Sequence, residues 1–328
     1  MQKKDLKIHF IAMEDSLIYN LAAALHLNGH TITGSYDQLV TSKRIVEPGG
    51  ILPEKPGWFP EKISKEIDSI IVGSHVEKDN PELKKAKELG LKIYSFPEYI
   101  YRYAKDKQRI VIAGTYGKTA ISAIISYVLK YWNRRFDYVI SSPIKQGEII
   151  IKLSDAPIII LEGSEYPTSS IDATPVFLHY RHNIGLISNI VWDHLNIYPD
   201  FDTYGRQFDA FADASPKGGI LIYCKEDALA TVIGSKERPD VQSEKYSTHP
   251  YEYVAGQCYL TIPQKEKIPV QRFDQHYMCN IAGAQKVLKN IGITSRQFYE
   301  AIASFQGVHD ALALIAKNYH TALPHDHL

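Results

Sequence analysis

Residues 114–119, with the sequence GTYGKT, place two glycines beside a lysine and a threonine hydroxyl. An apolar run, RIVIA, precedes this segment and a long apolar helical pattern follows it. A glycine-rich turn between a buried strand and a helix exposes backbone N–H groups that can hold phosphate. Lys118 could reach the terminal phosphates, and the Thr119 hydroxyl could bind Mg²⁺. The general pattern GxxxxGK[ST] is not met because Ile112 replaces its first glycine, so a plain strand-to-helix turn remains an alternative at this point.

Further polar residues follow two other apolar runs. Glu162 ends the run APIIILEG, and Asn189, Asp193 and His194 come just after NIGLIS. In an open parallel sheet, ligands bind beyond the carboxyl ends of the strands, so these side chains are expected to converge with the glycine-rich turn. Oxygen ligands with one imidazole suit Mg²⁺ beside a triphosphate. Together these residues favour a phosphate site over a plain turn.

Strand and helix patterns alternate through the first hundred residues. LKIHFIAM, HTITGS, SIIVGS and LKIYSF are typical of strands. Residues 16–28 have a helical pattern that Gly29 ends, and Asn80 followed by Pro81 predicts the start of another helix. This alternation predicts a parallel sheet with helices on both faces.

A polar segment, YAKDKQ at residues 103–108, separates this unit from a second alternating one. The apolar runs of the second unit suit strands buried on both faces of a parallel sheet. GGILIYC and YVAGQCYLTI are interpreted as later strands, and residues 275–290 and 295–305 as closing helices. We predict an α/β protein with a Rossmann-like domain at residues 1–105 and a phosphate-loop α/β domain at residues 106–308.

Composition narrows the class of protein. Lys+Arg and Asp+Glu both total 37, and this zero net charge argues against nucleic-acid binding driven by bulk positive charge. Cys224, Cys258 and Cys279 have no disulfide or metal-ligand spacing and are expected to be reduced thiols. No apolar segment approaches membrane-spanning length. We therefore expect a cytoplasmic protein with no nucleic-acid or membrane partner.

The combination of these motifs resembles the Mur ligases of peptidoglycan metabolism. Their phosphate loop is GTxGK[ST], which GTYGKT matches, and LEGSEY resembles their strand-end glutamate motif. Residues 189–194 resemble their N-x-x-x-D-H motif, and HYMCN at residues 276–280 matches both ends of their H-N-x-x-N helix start. The resemblance covers essentially the whole chain. It is greatest to the branch that acts on UDP-N-acetylmuramate, especially the murein peptide ligases, with the alanine-adding ligases as near neighbours.

The resemblance implies a set of ligands and residue roles. ATP with Mg²⁺ would phosphorylate the carboxylate of UDP-N-acetylmuramate, and the amine of a peptide or amino acid would attack the acyl phosphate. Lys118, Glu162 and His194 would be catalytic, and Thr119, Glu162 and His194 would bind metal. The residues implied to contact the nucleotide are Gly114, Thr115, Tyr116, Gly117, Lys118, Thr119, Asn189, His276 and Asn280. Those implied to contact the UDP-sugar substrate are Ser16, Ser35 and Asp37.

Some residues depart from the family pattern. Met13, Glu14 and Asp15 stand where this branch has glycines in a diphosphate-binding loop, and two carboxylates there would repel a diphosphate. The family's C-terminal domain is expected to be absent from these residues, with 309–328 as a tail leading towards it. A degenerate, non-catalytic nucleotide-binding module is therefore an alternative. A third hypothesis, an NAD-type oxidoreductase, is disfavoured by the same two carboxylates.

Overall fold

The computed structural model describes residues 5–37, 51, 55–141, 150–192, 197–262, 267–270, 275–305 and 307. Its first part contains a four-stranded parallel sheet with the order β2-β1-β3-β4. The strands are β1 (Lys7–Ile11), β2 (Thr31–Ser35), β3 (Ser69–Val72) and β4 (Ile93–Ser95). The helices are α1 (Ser16–Leu27), α2 (Pro81–Glu88) and α3 (Phe96–Ala104), with a short 3-10 helix at Pro60–Lys62.

Side-chain caps set the starts of these helices. The Asn80 side chain accepts hydrogen bonds at 3.0 Å from the backbone N–H groups of Glu82 and Leu83, and Pro81 takes the first helical position. The predicted start of α2 is thereby confirmed. Helix α3 was not predicted from the sequence, although its N-terminus carries a capping box between Ser95 and Glu98.

The rest of the described chain forms three sheets and six helices. Its strands are β5 (Gln108–Ala113), β6 (Asp137–Val139), β7 (Ile151–Lys152), β8 (Ile158–Glu162), β9 (Pro167–Ser169), β10 (Asp172–Pro175), β11 (Ile184–Ile187), β12 (Ile220–Cys224), β13 (Gln242–Tyr246), β14 (Tyr251–Val254), β15 (Gln257–Leu260) and β16 (Ile268–Val270). Its helices are α4 (Lys118–Tyr131), α5 (Val176–His179), α6 (Phe201–Asp213), α7 (Ala228–Gly234), α8 (Gln275–Asn290) and α9 (Ser295–Ile302).

The main sheet has seven strands in the order β13-β12-β11-β5-β8-β6-β7. All neighbours in it are parallel except β6 and β7. Strand β5 lies between β8 and β11, and its residues 110–113 are fully buried, as the apolar run predicted. Ile112 pairs with Glu162 of β8, and Ala113 pairs with Ile187 of β11. The carboxyl ends of these three strands therefore meet at one edge of the sheet.

The prediction of residues 253–262 as one continuous strand is wrong. The run YVAGQCYLTI contains a turn, because β14 ends at Val254 and β15 begins at Gln257, and the two strands pair antiparallel. Ala255 and Gly256 at this turn have φ angles of +50° and +83°. The apolar residues on both sides concealed the turn in the sequence. Strand β16 extends the hairpin to a three-stranded sheet, and β9 and β10 form a separate antiparallel pair.

Arg109, at the start of β5, holds the segment between α3 and β5. Its guanidinium donates five hydrogen bonds of 2.9 to 3.1 Å, all to backbone carbonyls, those of Ala104, Lys105, Lys107, Tyr180 and Arg181. The side chain is buried, and this burial lowers the pKa of Arg109. The connection between the four-stranded and seven-stranded sheets is thus fixed through the main chain. The predicted domain boundary at residue 105 lies in this connection and stays a prediction.

Candidate functional site

The loop at residues 114–119 joins β5 to α4 and depends on both of its glycines. Gly114 has a φ of +135°, and Gly117, which caps the N-terminus of α4, has a φ of +88°. A Cβ on Gly114 would overlap Ser188 Oγ, and one on Gly117 would overlap Asn280 Oδ1. Glycine is required here both for backbone conformation and for space.

The Lys118 side chain turns back over this loop. Its Nζ donates to the Gly114 carbonyl at 2.5 Å and to the Thr115 carbonyl at 3.3 Å. It also lies 3.5 Å from Oε2 of Glu165, whose side chain is almost fully buried. The Lys118 ammonium therefore lies over the loop, within reach of an anion that the backbone N–H groups of the loop would bind.

The Thr119 hydroxyl and the Glu162 carboxylate meet beside the loop. Thr119 Oγ1 donates to Glu162 Oε2 at 3.3 Å, and the backbone N–H of Ser141 donates to the same oxygen at 3.1 Å. The Ser141 hydroxyl also donates to it. Glu162 thus lies where the sequence predicted, at the end of β8 and next to the helix that follows the loop.

Glu162 has an oxygen available for a cation. Burial raises the pKa of this carboxyl, while the hydrogen bonds from Ser141 and the charge of Lys118 act in the opposite direction. Its second oxygen, Oε1, is buried and has no hydrogen-bond partner among the described residues. A buried carboxylate oxygen beside a hydroxyl is the type of donor set that Mg²⁺ takes, so these residues fit the ion.

Two residues after β11 fix the shape of the loop. Asn189 Oδ1 accepts from the Tyr116 N–H at 2.9 Å, and Asn189 Nδ2 donates to the Tyr116 carbonyl at 3.0 Å. Ser188 Oγ donates to the same carbonyl at 2.6 Å. Hydrogen bonds also fix the Thr115 side chain, because its hydroxyl bonds to the Val191 backbone and to the Tyr204 hydroxyl. The side chains of Asn189 and Thr115 thereby position the loop.

Helix α8 approaches the loop from the other side. Asn280 lies against Gly117, while His276 is exposed one helical turn nearer to the N-terminus of α8. Residues four positions apart lie on the same face of a helix. The pattern HYMCN therefore brings at least its asparagine to the loop. Asp193 and His194 fall outside the described residues, so the role predicted for His194 stays a prediction.

Two residues at this site were not predicted from the sequence. Glu165 comes three residues after Glu162, is 1% exposed and accepts a hydrogen bond at 3.3 Å from the Tyr204 hydroxyl. Ser141 holds the Glu162 carboxylate. The second glutamate of LEGSEY was a visible signal for Glu165. No local pattern identified Ser141, which reaches the site from beyond β6.

The N-terminus of α1 carries the two acidic residues noted in the sequence. Asp15 caps the helix, and its Oδ1 accepts from Leu17 N at 2.8 Å and from Ile18 N at 3.4 Å. Glu14 Oε1 lies 2.5 Å from His75 Nε2, and Glu14 Oε2 is buried without a hydrogen-bond partner among the described residues. The chain's own carboxylates thus occupy the helix end that the resemblance assigns to a diphosphate.

The three residues predicted to bind a UDP-sugar differ in environment. Ser16 is exposed in the first turn of α1, and Asp37 is exposed after β2. Ser35 is fully buried, and its hydroxyl donates to Glu82 Oε2 at 2.5 Å. The substrate roles of these three residues stay predictions.

In the described part of the chain, no helix is both long enough and apolar enough to cross a membrane.

Fold and site together define an α/β protein whose glycine loop follows a central parallel strand and lies beside a buried carboxylate. The chain belongs to the Mur ligase family, since residues 112–287 match the model of the Mur ligase middle domain. The family predicted from GTYGKT, LEGSEY and the later motifs is thus confirmed.

Curated relatives match most of this chain. The UDP-N-acetylmuramate–L-alanine ligase of Carboxydothermus hydrogenoformans is 28% identical, with 93% of this chain and 66% of that protein aligned. The ligase of the same name from Caldicellulosiruptor bescii is 29% identical, with 73% of this chain and 54% of that protein aligned. The chain therefore spans between about half and two thirds of the length of these relatives.

Solved structures confirm the predicted α/β fold. The UDP-N-acetylmuramate:L-alanyl-gamma-D-glutamyl-meso-diaminopimelate ligase from Neisseria meningitides has a TM-score of 0.76 at 18% identity, covering 92% of this chain and 98% of that one. UDP-N-acetylmuramate-alanine ligase from Thermotoga maritima has a TM-score of 0.68 at 19% identity, covering 92% and 69%. A MurF ligase from Thermotoga maritima, solved in complex with ADP, has a TM-score of 0.51 at 13% identity, covering 73% and 57%.

Proposed function

We propose that this chain binds Mg·ATP at residues 114–119 and belongs to an ATP-dependent ligase that activates a carboxylate for amide-bond formation in peptidoglycan synthesis or recycling. The observation that carries this proposal is the meeting of Lys118, Thr119 and Glu162 at the carboxyl edge of the main sheet. The substrates proposed from the relatives' names are UDP-N-acetylmuramate and a peptide or amino-acid amine. We place the reaction in the cytoplasm, where the thiols stay reduced, consistent with three cysteines that form no disulfide.

Lys118 and the loop backbone act on the phosphate chain of ATP. The loop N–H groups and the N-terminus of α4 bind the phosphate oxygens, and the Lys118 ammonium leaves the loop carbonyls to neutralise negative charge. Positioning and charge stabilisation supply most of the catalysis in phosphoryl transfer. The substrate carboxylate then receives the γ-phosphoryl group as ADP leaves, and the unprotonated amine attacks the resulting acyl phosphate. Amide formation releases inorganic phosphate.

Thr119 and Glu162 would hold Mg²⁺, whose chemistry is to neutralise the charge of the phosphate oxygens. The buried Oε1 of Glu162 supports this assignment, because a bound cation would offset the cost of burying the carboxylate. Glu165, whose Oε2 lies 3.5 Å from Lys118 Nζ, positions the Lys118 ammonium. His194 is retained as a proposed second metal ligand from the family resemblance.

Helix α8 and the residues after β11 complete the proposed nucleotide site. Asn280 is proposed to contact the nucleotide, because it already lies against Gly117, and His276 precedes it by one helical turn. Asn189 is proposed to act through the loop, since both hydrogen-bonding atoms of its side chain contact the Tyr116 backbone. These assignments divide the predicted nucleotide residues into those that contact the ligand and those that shape the loop.

A non-catalytic nucleotide-binding module is a second candidate, favoured by one specific observation. Asp15 and Glu14 place carboxylates at the N-terminus of α1, where a UDP-sugar diphosphate would have to bind. A module of this kind would keep the ATP site and lose the sugar-nucleotide site. Binding of UDP-N-acetylmuramate to the chain separates the two candidates.

Calorimetric titration with Mg·ATP tests the ATP site. The unmodified chain is expected to bind one equivalent, and Lys118→Ala is expected to weaken binding at least about tenfold, since a charge-assisted hydrogen bond contributes about 1.5–3 kcal/mol. Lys130→Ala, an exposed lysine in the last turn of the same helix, is the matched control and should bind as tightly as the unmodified chain. Removing Mg²⁺ with a chelator should weaken binding of ATP. The proposed site would be contradicted if the unmodified chain gave no heat of Mg·ATP binding. It would also be contradicted if Lys118→Ala and Lys130→Ala bound Mg·ATP with equal affinity.

A further inference from the structure

Two cysteines and a glutamate meet at the carboxyl end of β12. Cys224 is the last residue of this strand, Glu226 follows it by two residues, and Cys279 lies in the second turn of α8. Their sulfur and carboxylate atoms all lie within 4.8 Å of one another. The Cys224 and Cys279 sulfurs are 3.3 Å apart and form no disulfide. None of these residues belongs to the proposed nucleotide site.

The spacing of the three groups suits one small cation. In a tetrahedral zinc site with Zn–S distances of about 2.3 Å, two sulfur ligands lie about 3.8 Å apart. The observed sulfur–sulfur distance would need to open by roughly 0.5 Å, which is smaller than the closure of about 1.3 Å that a disulfide needs. Two thiols and one carboxylate favour a borderline-soft divalent ion over Mg²⁺ or Ca²⁺.

Two hydrogen bonds from Thr248 orient the Glu226 carboxylate. The Thr248 backbone N–H donates to Glu226 Oε1 at 2.9 Å, and the Thr248 hydroxyl donates to Oε2 at 2.5 Å. Hydrogen bonds of this kind orient the ligands of metal sites. Glu226 is exposed and Cys279 is half-buried, so an ion can enter from solvent although Cys224 is buried.

The two thiols differ in acidity. The hydrogen bond with Cys279 lowers the pKa of Cys224 to about 7, although burial acts in the opposite direction. The same contact, together with burial, raises the pKa of Cys279. Because metal ions bind thiolates rather than thiols, cation binding would displace the protons of both sulfurs.

We propose that Cys224, Glu226 and Cys279 form a binding site for a thiophilic divalent cation of the Zn²⁺ class, with solvent water completing its coordination. This cation is distinct from the Mg²⁺ of the proposed ATP site. Because Cys279 directly precedes Asn280, the cation would lie on the turn of α8 that contacts Gly117.

Titration of the reduced full chain with Cd²⁺ tests the site. A Cd²⁺–thiolate bond gives an ultraviolet charge-transfer absorption that a Cd²⁺–imidazole bond does not, so histidines such as His320, His325 and His327 do not contribute to this signal. We expect a band that saturates at one equivalent of Cd²⁺. Zn²⁺ should compete for the same site and abolish the band.

Three variants and one control assign the ligands. Cys224→Ser and Cys279→Ser should each weaken Cd²⁺ binding at least tenfold and lower the band, whereas Glu226→Gln should weaken binding and retain the band. Cys258→Ala is the matched control, because Cys258 is a buried cysteine of β15 outside the cluster, and its titration should be unchanged. Circular dichroism establishes that each variant is folded, and the half-buried Cys279 still tests the site if the Cys224 variant does not fold. A missing band in the unmodified chain, or a band that depends on Cys258 and not on Cys279, would overturn the proposal.

Discussion

At the scale of single residues, Gly117 illustrates how two requirements coincide at one position. Its φ of +88° excludes most side chains, and Asn280 fills the space that a Cβ would need. The glycine therefore lets α8 approach the loop at residues 114–119 and also lets that loop turn into α4. The two requirements can be separated at Gly292, which has a φ of +85° but no described atom within 4 Å of the point where a Cβ would lie.

Alanine at these two glycines should have different effects. Both variants impose a left-handed alanine, which costs about 1–2 kcal/mol. Gly117→Ala should reduce the free energy of unfolding further and weaken Mg·ATP binding, because its Cβ would overlap Asn280 Oδ1. Gly292→Ala should keep Mg·ATP binding. Urea unfolding and calorimetry measure both quantities. Adding Asn280→Ala to Gly117→Ala should recover part of the lost stability, and no recovery would mean that the contact is not the cause.

Residues next to one another in the chain could be predicted from the sequence, and residues joined only by the fold could not. The loop glycines, Lys118 and the Asn80 cap follow from local patterns. Glu165 carried a weak signal, since its closeness to Lys118 depends on how the chain leaves β8. Cys224 and Cys279 are 55 positions apart, and only the packing of α8 against β12 brings their sulfurs together.

At the scale of elements, α1 differs from α4 in what its N-terminus offers to a ligand. Helix α4 begins after Gly117 with no side-chain cap on its backbone N–H groups, whereas α1 begins after Asp15, whose carboxylate accepts hydrogen bonds from two N–H groups of that helix. Glu14 adds a second carboxylate at the same helix end. The two helix ends are thus opposite in charge, although each follows a parallel strand in the same way.

Neutralising the α1 carboxylates should therefore strengthen binding of UDP-N-acetylmuramate. Asp15→Asn keeps a good N-cap, and Glu14→Gln keeps the size of the side chain. The double variant should show a larger rise in melting temperature with this ligand than the unmodified chain, since a ligand that binds the native state stabilises it. Glu88→Gln, at the exposed end of α2, is the control and should not change the shift. A shift that is equal in the unmodified chain and the double variant would mean that no diphosphate binds at α1.

The sequence predicted most of these elements but not all of their limits. Helices α1 and α2 begin where the sequence indicated, because a capping residue and apolar periodicity lie within a few residues of each other, and α8 begins at the predicted Gln275. Helix α3 was missed because a strand pattern runs directly into its first turn. The hairpin of β14 and β15 was hidden because apolar residues continue through Ala255 and Gly256.

At the scale of the whole molecule, buried ionisable groups make stability depend on pH. His182 is 1% exposed, its Nε2 lies 2.9 Å from Ser215 Oγ, and its ring packs on Phe211. Burial, with a smaller effect from the Arg109 charge, lowers the pKa of His182 to about 3. Burial also lowers the pKa of His249. Both histidines are thus neutral in the folded chain at pH values where they become charged in the unfolded chain.

The free energy of unfolding should fall as the pH drops below about 6.5, the usual pKa of histidine. The unfolded chain binds a proton that folded His182 does not bind until about pH 3, so the contribution is complete above pH 6.5 and is lost towards pH 3. Its slope approaches about 1.4 kcal/mol per pH unit. In urea unfolding between pH 7 and pH 5, His182→Gln should show a smaller fall than the unmodified chain. His26→Gln, an exposed control, should fall as the unmodified chain does, and an equal fall in the His182 variant would contradict the assignment.

The Arg109 hydrogen bonds have a consequence for how this chain tolerates sequence change. Its five acceptors are peptide carbonyls, which every amino acid carries. Substitutions at the exposed Lys105 that keep the backbone path leave its carbonyl in place, whereas Ala104 is fully buried and the Lys107 ammonium pairs with the buried Asp137. The Arg109 contacts therefore do not depend on the side chains of their acceptor residues, while Arg109 itself has no equivalent replacement because lysine lacks its planar fork of donors.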